Sequence, residues 1–240
     1  MDRTGKEQNS ILLEELGLVD YQTAWDYQKQ LFERTLKLKK KGQIPKNHLL
    51  FCEHPPVYTL GKSGDRKHLL IDDKVLQAKG AAFYPIDRGG DITFHGPGQL
   101  VGYPIFDLDT FSLSIRDYVY RIEEVAIRTL SHFGLVAGRI EKATGVWIDA
   151  GTPRARKITA IGMRIHSKVS MHGFAMNVNT DLDYFSYIIP CGIADKGVTS
   201  LQNELGYPVE MDEVKNLMVR EFGLVFDSKI RVKPKGSAGV

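Results

Sequence analysis

A twelve-residue run at positions 88–99, RGGDITFHGPGQ, holds four glycines and one proline and sets the strongest limit on the local fold. Residues of these two types at that density exclude a regular helix or strand, so we expect a loop over residues 88–98. Glycine lets a backbone approach a ligand closely, and Arg88, Thr93 and His95 supply polar groups of the kind that line pockets. The run therefore predicts a ligand-binding loop or, equally, a tight surface loop.

The glycine-rich run lacks the two common phosphate-binding patterns. Gly-x-Gly-x-x-Gly does not occur in it. Gly61, Lys62 and Ser63 match the end of a P-loop, but the first glycine of that motif would fall at position 56, which is Pro56. We therefore expect no nucleotide loop of either kind.

Hydrophobic spacing elsewhere predicts helices that flank consecutive short strands. The predicted strands are residues 11–18, 49–52, 82–86, 100–108, 136–140, 145–148, 157–165 and 171–178, and residues 57–64 with the charged stretch after them read as a loop and a short helix. The predicted helices run from Asp20 to about Gly42, from Ser112 or Ser114 to Gly134, from a Thr199–Gln202 capping box to Leu205, and over residues 211–222, closed by Gly223. This arrangement predicts an α+β fold with a mixed, largely antiparallel sheet.

Composition limits the class of protein. A length of 240 residues suits one domain, here residues 1–240 with a core at about 11–228 and flexible tails. A net charge of +3, from 32 basic and 29 acidic residues, is too small for a nucleic-acid binder. The polar first ten residues are no signal peptide, and no apolar run is long enough to span a membrane. Two cysteines point to the reducing cytoplasm, and no metal-ligand spacing is present.

The two cysteines have different surroundings. Cys52 lies in an apolar predicted strand and reads as a structural residue. Cys191 lies between Pro190 and Gly192, in a predicted turn before a helix, where a thiol can gain thiolate character. Because an ordinary thiol has a pKa of about 8.5, a nucleophilic Cys191 needs a nearby cation or base. Sequence offers Lys157, His95 and His172 for that task and leaves the choice open.

The glycine-rich run together with the residues after it, positions 88–103, resembles the signature of the lipoyl(octanoyl) transferase family. The matching positions are the Arg-Gly-Gly, the Thr-aromatic-His, the Gly-Gln and the closing Tyr103. Residues 157–162 resemble the lysine strand of that family, and residues 189–193 resemble its cysteine loop. His172 to Ala175 resembles a segment that lines the substrate site. The resemblance covers about residues 20 to 225.

The resemblance implies a biotin-protein-ligase/lipoate-ligase-like catalytic domain, a sheet curved around an acyl tunnel. It implies that Cys191 carries the acyl group as a thioester and that Lys157 lowers the pKa of that cysteine. It further implies a substrate-binding set, namely Arg88, Gly89, Gly90, Asp91, Ile92, Thr93, Phe94, His95, Ala160, Ile161, Gly162, Gly173, Phe174 and Ala175. No cofactor is implied, neither ATP nor a metal, because the thioester stays activated.

The same resemblance implies the partners. Acyl carrier protein is the expected octanoyl donor. The expected acceptors are lipoyl domains of 2-oxoacid dehydrogenase complexes and the glycine cleavage H protein. We expect a cytoplasmic monomer that binds neither nucleic acid nor membrane.

Three alternatives remain open at this stage. An ATP-dependent lipoate or biotin ligase on the same fold would form an acyl-adenylate and would not need Cys191. A catalytically silent module would bind the acyl group without forming a thioester. A Cys-His hydrolase would release free fatty acid from the thioester.

Overall fold

The structure, a computed structural model, describes residues 10–189 and 196–233. Its helices are α1 (Tyr21–Lys40), α2 (Asp73–Ala78), α3 (Ile115–Ser131), α4 (Leu201–Leu205) and α5 (Met211–Val225). Its strands are β1 (Ser10–Leu18), β2 (Asn47–Glu53), β3 (Val57–Leu60), β4 (Ala82–Pro85), β5 (Ile92–His95), β6 (Gln99–Ile105), β7 (Ala137–Ile140), β8 (Ala143–Ile148), β9 (Arg156–His166), β10 (Val169–Asn177), β11 (Gly197–Val198) and β12 (Lys229–Val232).

The described strands form two sheets. The large sheet has the order β12-β1-β2-β6-β10-β9-β8-β7, with β11 added beside β9. Its pairs from β2 to β7 are antiparallel, whereas β1 pairs in parallel with both β2 and β12. The small sheet has the order β4-β3-β5. Helices flank a mixed, largely antiparallel sheet, so the predicted α+β class is confirmed.

The large sheet is covered on both faces. One face packs against α3 and α5 through residues such as Ile122 and Phe222, and the other packs against α1 through residues such as Leu31. As a result, all nine residues of β10, at the centre of the sheet, are buried. Among the described helices, none has the length and apolar character needed to cross a lipid bilayer.

Local sequence signals explain several boundaries. Asp20 caps α1, because its carboxylate accepts hydrogen bonds from the backbone N–H groups of Gln22 and Thr23. Ser114, one of the two predicted candidates, caps α3. The predicted turn between β9 and β10 contains Ser167 and Lys168, which both have positive φ. Two consecutive residues of this kind make the tight hairpin turn that matches strand twist.

Four predictions of local structure are wrong. Residues 57–64 and 88–98 are not loops throughout, because β3 and β5 lie within them and pair with each other. The cap of α4 is Ser200, whose hydroxyl accepts from the backbone of Asn203, and not Thr199. Gly223 does not close α5 but lies inside it. β12 was not predicted; among the described strands it pairs with β1. The C-terminal tail, predicted as flexible from residue 229, forms β12 over Lys229–Val232. The remaining residues of the predicted tails, 1–9 and 234–240, lie outside the described residues.

Candidate active site

A cavity of about 580 Å³ opens between the large sheet and the glycine-rich segment. Its walls come from β6, β9 and β10 on one side and from residues 88–95 on the other. Thirteen of the predicted site residues line it, namely Arg88, Gly89, Gly90, Ile92, Thr93, His95, Lys157, Ala160, Ile161, Gly162, Gly173, Phe174 and Ala175. Three segments that are far apart in sequence therefore meet around one space.

Two predicted residues of the glycine-rich segment do not line the cavity. The Asp91 carboxylate lies 2.6 Å from Nδ1 of His68 and accepts a hydrogen bond from the backbone of Ile92. The Phe94 ring stacks on Tyr184, with 4.5 Å between centroids, in the core of the small sheet. Both side chains lie behind the cavity wall and support it.

Small residues allow the two sheets to approach each other. The backbone N–H of Gly89 donates to the carbonyl of Met163 on β9, at 2.9 Å. A Cβ at Gly162 would lie 3.0 Å from the carbonyl oxygen of Gly89 and 3.1 Å from Cδ of Arg88. The glycine at position 162 thus permits the close contact through which the glycine-rich segment docks on β9.

Lys157 lies at the start of β9, half-buried. Its Nζ lies 4.7 Å from the centroid of the Trp147 ring, in cation–π geometry. The Lys157 carbonyl accepts a hydrogen bond from the backbone of Thr199, and Lys157 pairs with Val198 on β11. Cys191, the predicted nucleophile, lies outside the described residues.

Arg88 is a buried cation that ties the glycine-rich segment to β3. Its Nη2 donates to the carbonyl oxygen of Thr59 at 2.7 Å and to the Thr59 hydroxyl at 3.1 Å, and its Nη1 donates to the carbonyl of Gly89. Hydrogen bonds of charged donors are stronger than those between neutral groups. The guanidinium of Arg88 therefore holds the glycine-rich segment against β3, and it also lines the cavity.

His95 is neutral and fully hydrogen-bonded. Burial, with a smaller contribution from the nearby His54, lowers the pKa of this imidazole to about 3. Its Nδ1 lies 2.8 Å from Oε1 of Gln99, and its Nε2 lies 3.4 Å from the Thr59 hydroxyl. Since both ring nitrogens have partners, His95 is suited to be a wall residue and not a proton acceptor.

His172, the other histidine that sequence offered as a base, is held by a carboxylate. Its Nε2 lies 2.7 Å from Oδ1 of Asp87. This hydrogen bond is the main reason that the pKa of Asp87 is lowered to about 2. Burial lowers the pKa of His172 itself. His172 pairs with Met163, six residues along β9 from Lys157, which corresponds to about 20 Å of strand. It is therefore far from Lys157.

Sequence reasoning assigned no site role to several further wall residues. They are Tyr21, Gln99, Val101, Tyr103 and Asn177. Tyr21 stacks on His95, with 6.0 Å between ring centroids and 12° between the planes. The available signal for Asn177 was a polar side chain at the end of an apolar predicted strand, because a buried polar group of this kind is nearly always hydrogen-bonded.

Cys52 contrasts with the predicted nucleophile. It is buried in β2, its Sγ lies 3.4 Å from Nε2 of His54, and burial raises the pKa of its thiol. A thiol of this kind is inert. In the part of the chain that the structure describes, no group of three or more histidine, cysteine and acidic side chains is arranged to hold a metal ion.

Comparison with known proteins gives a consistent result. The lipoyl protein ligase A/B catalytic domain family matches residues 20–223. An octanoyltransferase of Cytophaga hutchinsonii is 54% identical over 230 residues, which cover 92% of this chain and 94% of that protein. One of Flavobacterium johnsoniae is 54% identical over 227 residues, which cover 92% and 98%. In structure, lipoate-protein ligase A bound with ATP aligns with a TM-score of 0.69 at 19% identity, over 95% of this chain and 90% of that one.

Proposed function

The chain belongs to the lipoyl protein ligase A/B catalytic domain family and, within it, to the octanoyltransferases, and we propose a specific donor, intermediate and acceptor for its acyl transfer. The donor is octanoyl acyl carrier protein, and the intermediate is a thioester on Cys191. The acceptor is the ε-amine of a lysine on lipoyl domains of 2-oxoacid dehydrogenase complexes and on the glycine cleavage H protein. The reaction takes place in the cytoplasm, where we expect these carriers.

The observation that carries this proposal is the composition of the cavity wall. Lys157, a cation, lies at one end of a wall that continues along β9 through Ala160, Ile161 and Gly162. Phe174 and Ala175 on β10 add further apolar surface. A saturated acyl chain suits this surface, since each buried methylene contributes about 0.8 kcal/mol. The charged end supports a reaction at the carbonyl of that chain.

In the first half-reaction, the Cys191 thiolate attacks the thioester carbonyl of the donor. The resulting tetrahedral intermediate collapses as the bond to the phosphopantetheine sulfur breaks, and that sulfur leaves as a thiolate and takes up a proton. The ammonium group of Lys157 keeps Cys191 ionised and supplies this proton. The acyl group remains at the energy level of a thioester, and no ATP is consumed.

In the second half-reaction, the neutral ε-amine of the acceptor lysine attacks the acyl group on Cys191. An amide bond forms, and the bond to the cysteine sulfur breaks. The amine loses a proton to Lys157, which the first step left as a free amine, and Cys191 returns to its thiolate form. Backbone N–H groups of residues 160–162 are candidates to stabilise the oxyanion in both steps.

The proposal is tested by intact-protein mass spectrometry. The protein is incubated with octanoyl acyl carrier protein without ATP, and we expect a mass increase of one octanoyl group that peptide mapping assigns to Cys191. Addition of a lipoyl domain should remove the adduct and acylate the domain. Cys191→Ser should form no thioester, and Cys52→Ser should serve as a matched control that still does.

A Lys157→Met variant separates the two proposed catalytic residues. We expect slower formation of the adduct, with the largest deficit at low pH, because Cys191 loses the cation that keeps it ionised. An adduct that forms at the wild-type rate at every pH would remove Lys157 from the mechanism.

An ATP-dependent lipoate ligase is the second candidate, and the similarity to an ATP-bound ligase favours it. This mechanism requires free octanoate and ATP and proceeds in the Cys191→Ser variant. Acylation of a lipoyl domain under those conditions, without any adduct from the acyl carrier protein, would replace the thioester mechanism by the ligase.

A further inference from the structure

A continuous line of hydrogen bonds crosses the cavity wall from Arg88 to Thr199. Arg88 donates to the Thr59 hydroxyl, which in turn lies beside Nε2 of His95. The line continues from Nδ1 of His95 to Oε1 of Gln99 at 2.8 Å, from Nε2 of Gln99 to Oδ1 of Asn177 at 2.9 Å, and from Nδ2 of Asn177 to the carbonyl of Thr199 at 3.0 Å.

Two backbone carbonyls determine which side-chain atom donates and which accepts along this line. Because carbonyl oxygens only accept, the atom of Gln99 that faces the carbonyl of Phe94 must be the amide nitrogen, and so must the atom of Asn177 that faces Thr199. Oε1 of Gln99 therefore accepts, and His95 carries its proton on Nδ1. The two carboxamides thus leave only one tautomer of the histidine.

The far end of the line reaches the strand of Lys157. Thr199 is held on both sides, since its N–H donates to the carbonyl of Lys157 at 2.9 Å and its own carbonyl accepts from Asn177. Gln99, Asn177 and Thr199 are all buried. One pair of side chains therefore connects the glycine-rich segment to the backbone that flanks Lys157.

We propose that Gln99 and Asn177 are positioning residues for acyl transfer: they hold the glycine-rich segment, the β11 segment and the Lys157 strand in the one arrangement that the reaction requires. This inference rests on the proposed function. Hydrogen-bonded chains of uniform direction strengthen one another in a dry interior, and a small displacement of reacting groups lowers the rate far more than it lowers stability.

The chain supplies a matched control two residues from Asn177. Asn179 also makes two side-chain hydrogen bonds, donating to the carbonyl of Val209 at 2.7 Å and accepting from the Val209 N–H at 2.9 Å. It joins the residues just after β10 to the segment before α5 and lies outside the line. Asn179→Ala therefore removes the same number of bonds from the same side-chain type without touching the cavity.

The experiment compares steady-state octanoyl transfer by the wild type, Asn177→Ala, Gln99→Ala, the double variant and Asn179→Ala, well below their melting temperatures. We expect kcat to fall on the order of 10- to 100-fold in Asn177→Ala, with KM for both carriers nearly unchanged. The double variant should be no slower than the slower single variant, because both residues act through one line. Asn179→Ala should keep the wild-type kcat even if its melting temperature falls equally.

The pH dependence of kcat in Asn177→Asp distinguishes a positioning role from a purely structural one. Its ionised carboxylate would place an oxygen against the carbonyl of Thr199, whereas the protonated form can donate to it. Desolvation favours the protonated form, so the kcat of Asn177→Asp relative to wild type should rise as pH falls from about 8 to about 6.

The outcomes are distinguishable. Asn177→Ala and Asn179→Ala with equal kcat, or additive losses in the double variant, would overturn the positioning role while leaving the proposed function intact. If the wild-type protein forms no acyl adduct and transfers no octanoyl group, the proposed function and the positioning role both fail.

Discussion

The two sheets of this molecule are built differently, although both contribute walls to the same cavity. The large sheet has strands of up to 11 residues and a packed core on each face. The small sheet has three strands of four residues, with an aromatic cluster around Tyr58 and Phe94 and a smaller cluster in which Val57 packs against Tyr21. The large sheet carries Lys157, and the small sheet carries the glycine-rich segment that docks on β9 at Met163.

Alongside the apolar cluster of Tyr21, Val57 and Ile86, polar contacts join the two sheets. They include the Gly89–Met163 backbone bond, the bonds of Asp87 to His172 and Arg164, and the His95–Gln99 pair. Apolar packing is non-directional, whereas hydrogen bonds fix distance and angle. Hydrophobic burial therefore forms each sheet, and these hydrogen bonds fix the distance and angle between the two sheets, and hence the shape of the cavity.

The largest expected effect comes from one aromatic residue in each core. Phe222→Ala in α5 should lower the free energy of unfolding by about 3–5 kcal/mol, measured by urea denaturation. Phe94→Ala should weaken the small sheet by a similar amount through local opening. Hydrogen exchange should then accelerate in β3 and β5 but not in β10. Equal acceleration of exchange in β10 would show that the two sheets unfold as one unit and do not differ in stability.

Acid should loosen the contact between the sheets. Burial lowers the pKa of His54 to about 4 and that of His95 to about 3, against about 6.5 in the unfolded chain. Below pH 6.5 the unfolded chain therefore binds protons that the folded chain excludes. The free energy that each histidine contributes to folding is complete above pH 6.5. It decreases by about 1.4 kcal/mol for each pH unit below that value, until the pH reaches the pKa of that histidine in the folded chain.

Unfolding free energies measured between pH 8 and pH 4 test this expectation. His54→Gln should flatten the profile below pH 6.5, because the folded chain then no longer excludes a proton from that position. A wild-type profile that is flat down to pH 5 would contradict neutral burial of both histidines. The stability that Glu14 contributes is lost at a lower pH, as the pH falls from about 4.5 to about 2. Hydrogen bonds from His48, Lys233 and Tyr27 lower the pKa of this carboxyl from 4.5 to about 2, although burial raises it.

A smaller effect separates the half-buried carboxylate of Asp87 from the more exposed carboxylate of Asp109. Asp87→Asn replaces the carboxylate that serves His172 and Arg164, and should lower the free energy of unfolding by about 1–3 kcal/mol. Asp109→Asn removes a half-exposed carboxylate that contacts Lys39 and Lys168, and should lower it by only about 0.2–1 kcal/mol. The two values come from matched urea curves at pH 7. Equal losses would mean that the polar contact between the sheets has no special weight.

Sequence predicted the large sheet much better than the small one. Strands β9 and β10 carry long apolar runs with clear turn residues between them, and both were predicted. β3 and β5 were missed because each has four residues between prolines or glycines, and their conformation comes from pairing with each other. β12 was missed because its apolar pattern is weak. Local propensity is informative only where a strand is long enough to show it.

The candidate site was predicted from family resemblance more than from spacing. Pattern alone left the glycine-rich run undecided between a binding loop and a surface turn. The structure brings that run beside β9 and β10, as expected for a shared site. The roles of Gln99 and Asn177 were out of reach, since a hydrogen-bonded line between residues so far apart in sequence depends on how three strands come together.

The outer edge of β1 has a consequence for the synthesis of the protein. β12 pairs with β1, and Lys233 donates to Glu14 across 219 residues of sequence. A nascent chain therefore carries an uncovered β1 edge until residues 229–232 have left the ribosome. Unpaired strand edges recruit other chains, so translation that stalls or terminates before residue 229 would release a product prone to self-association.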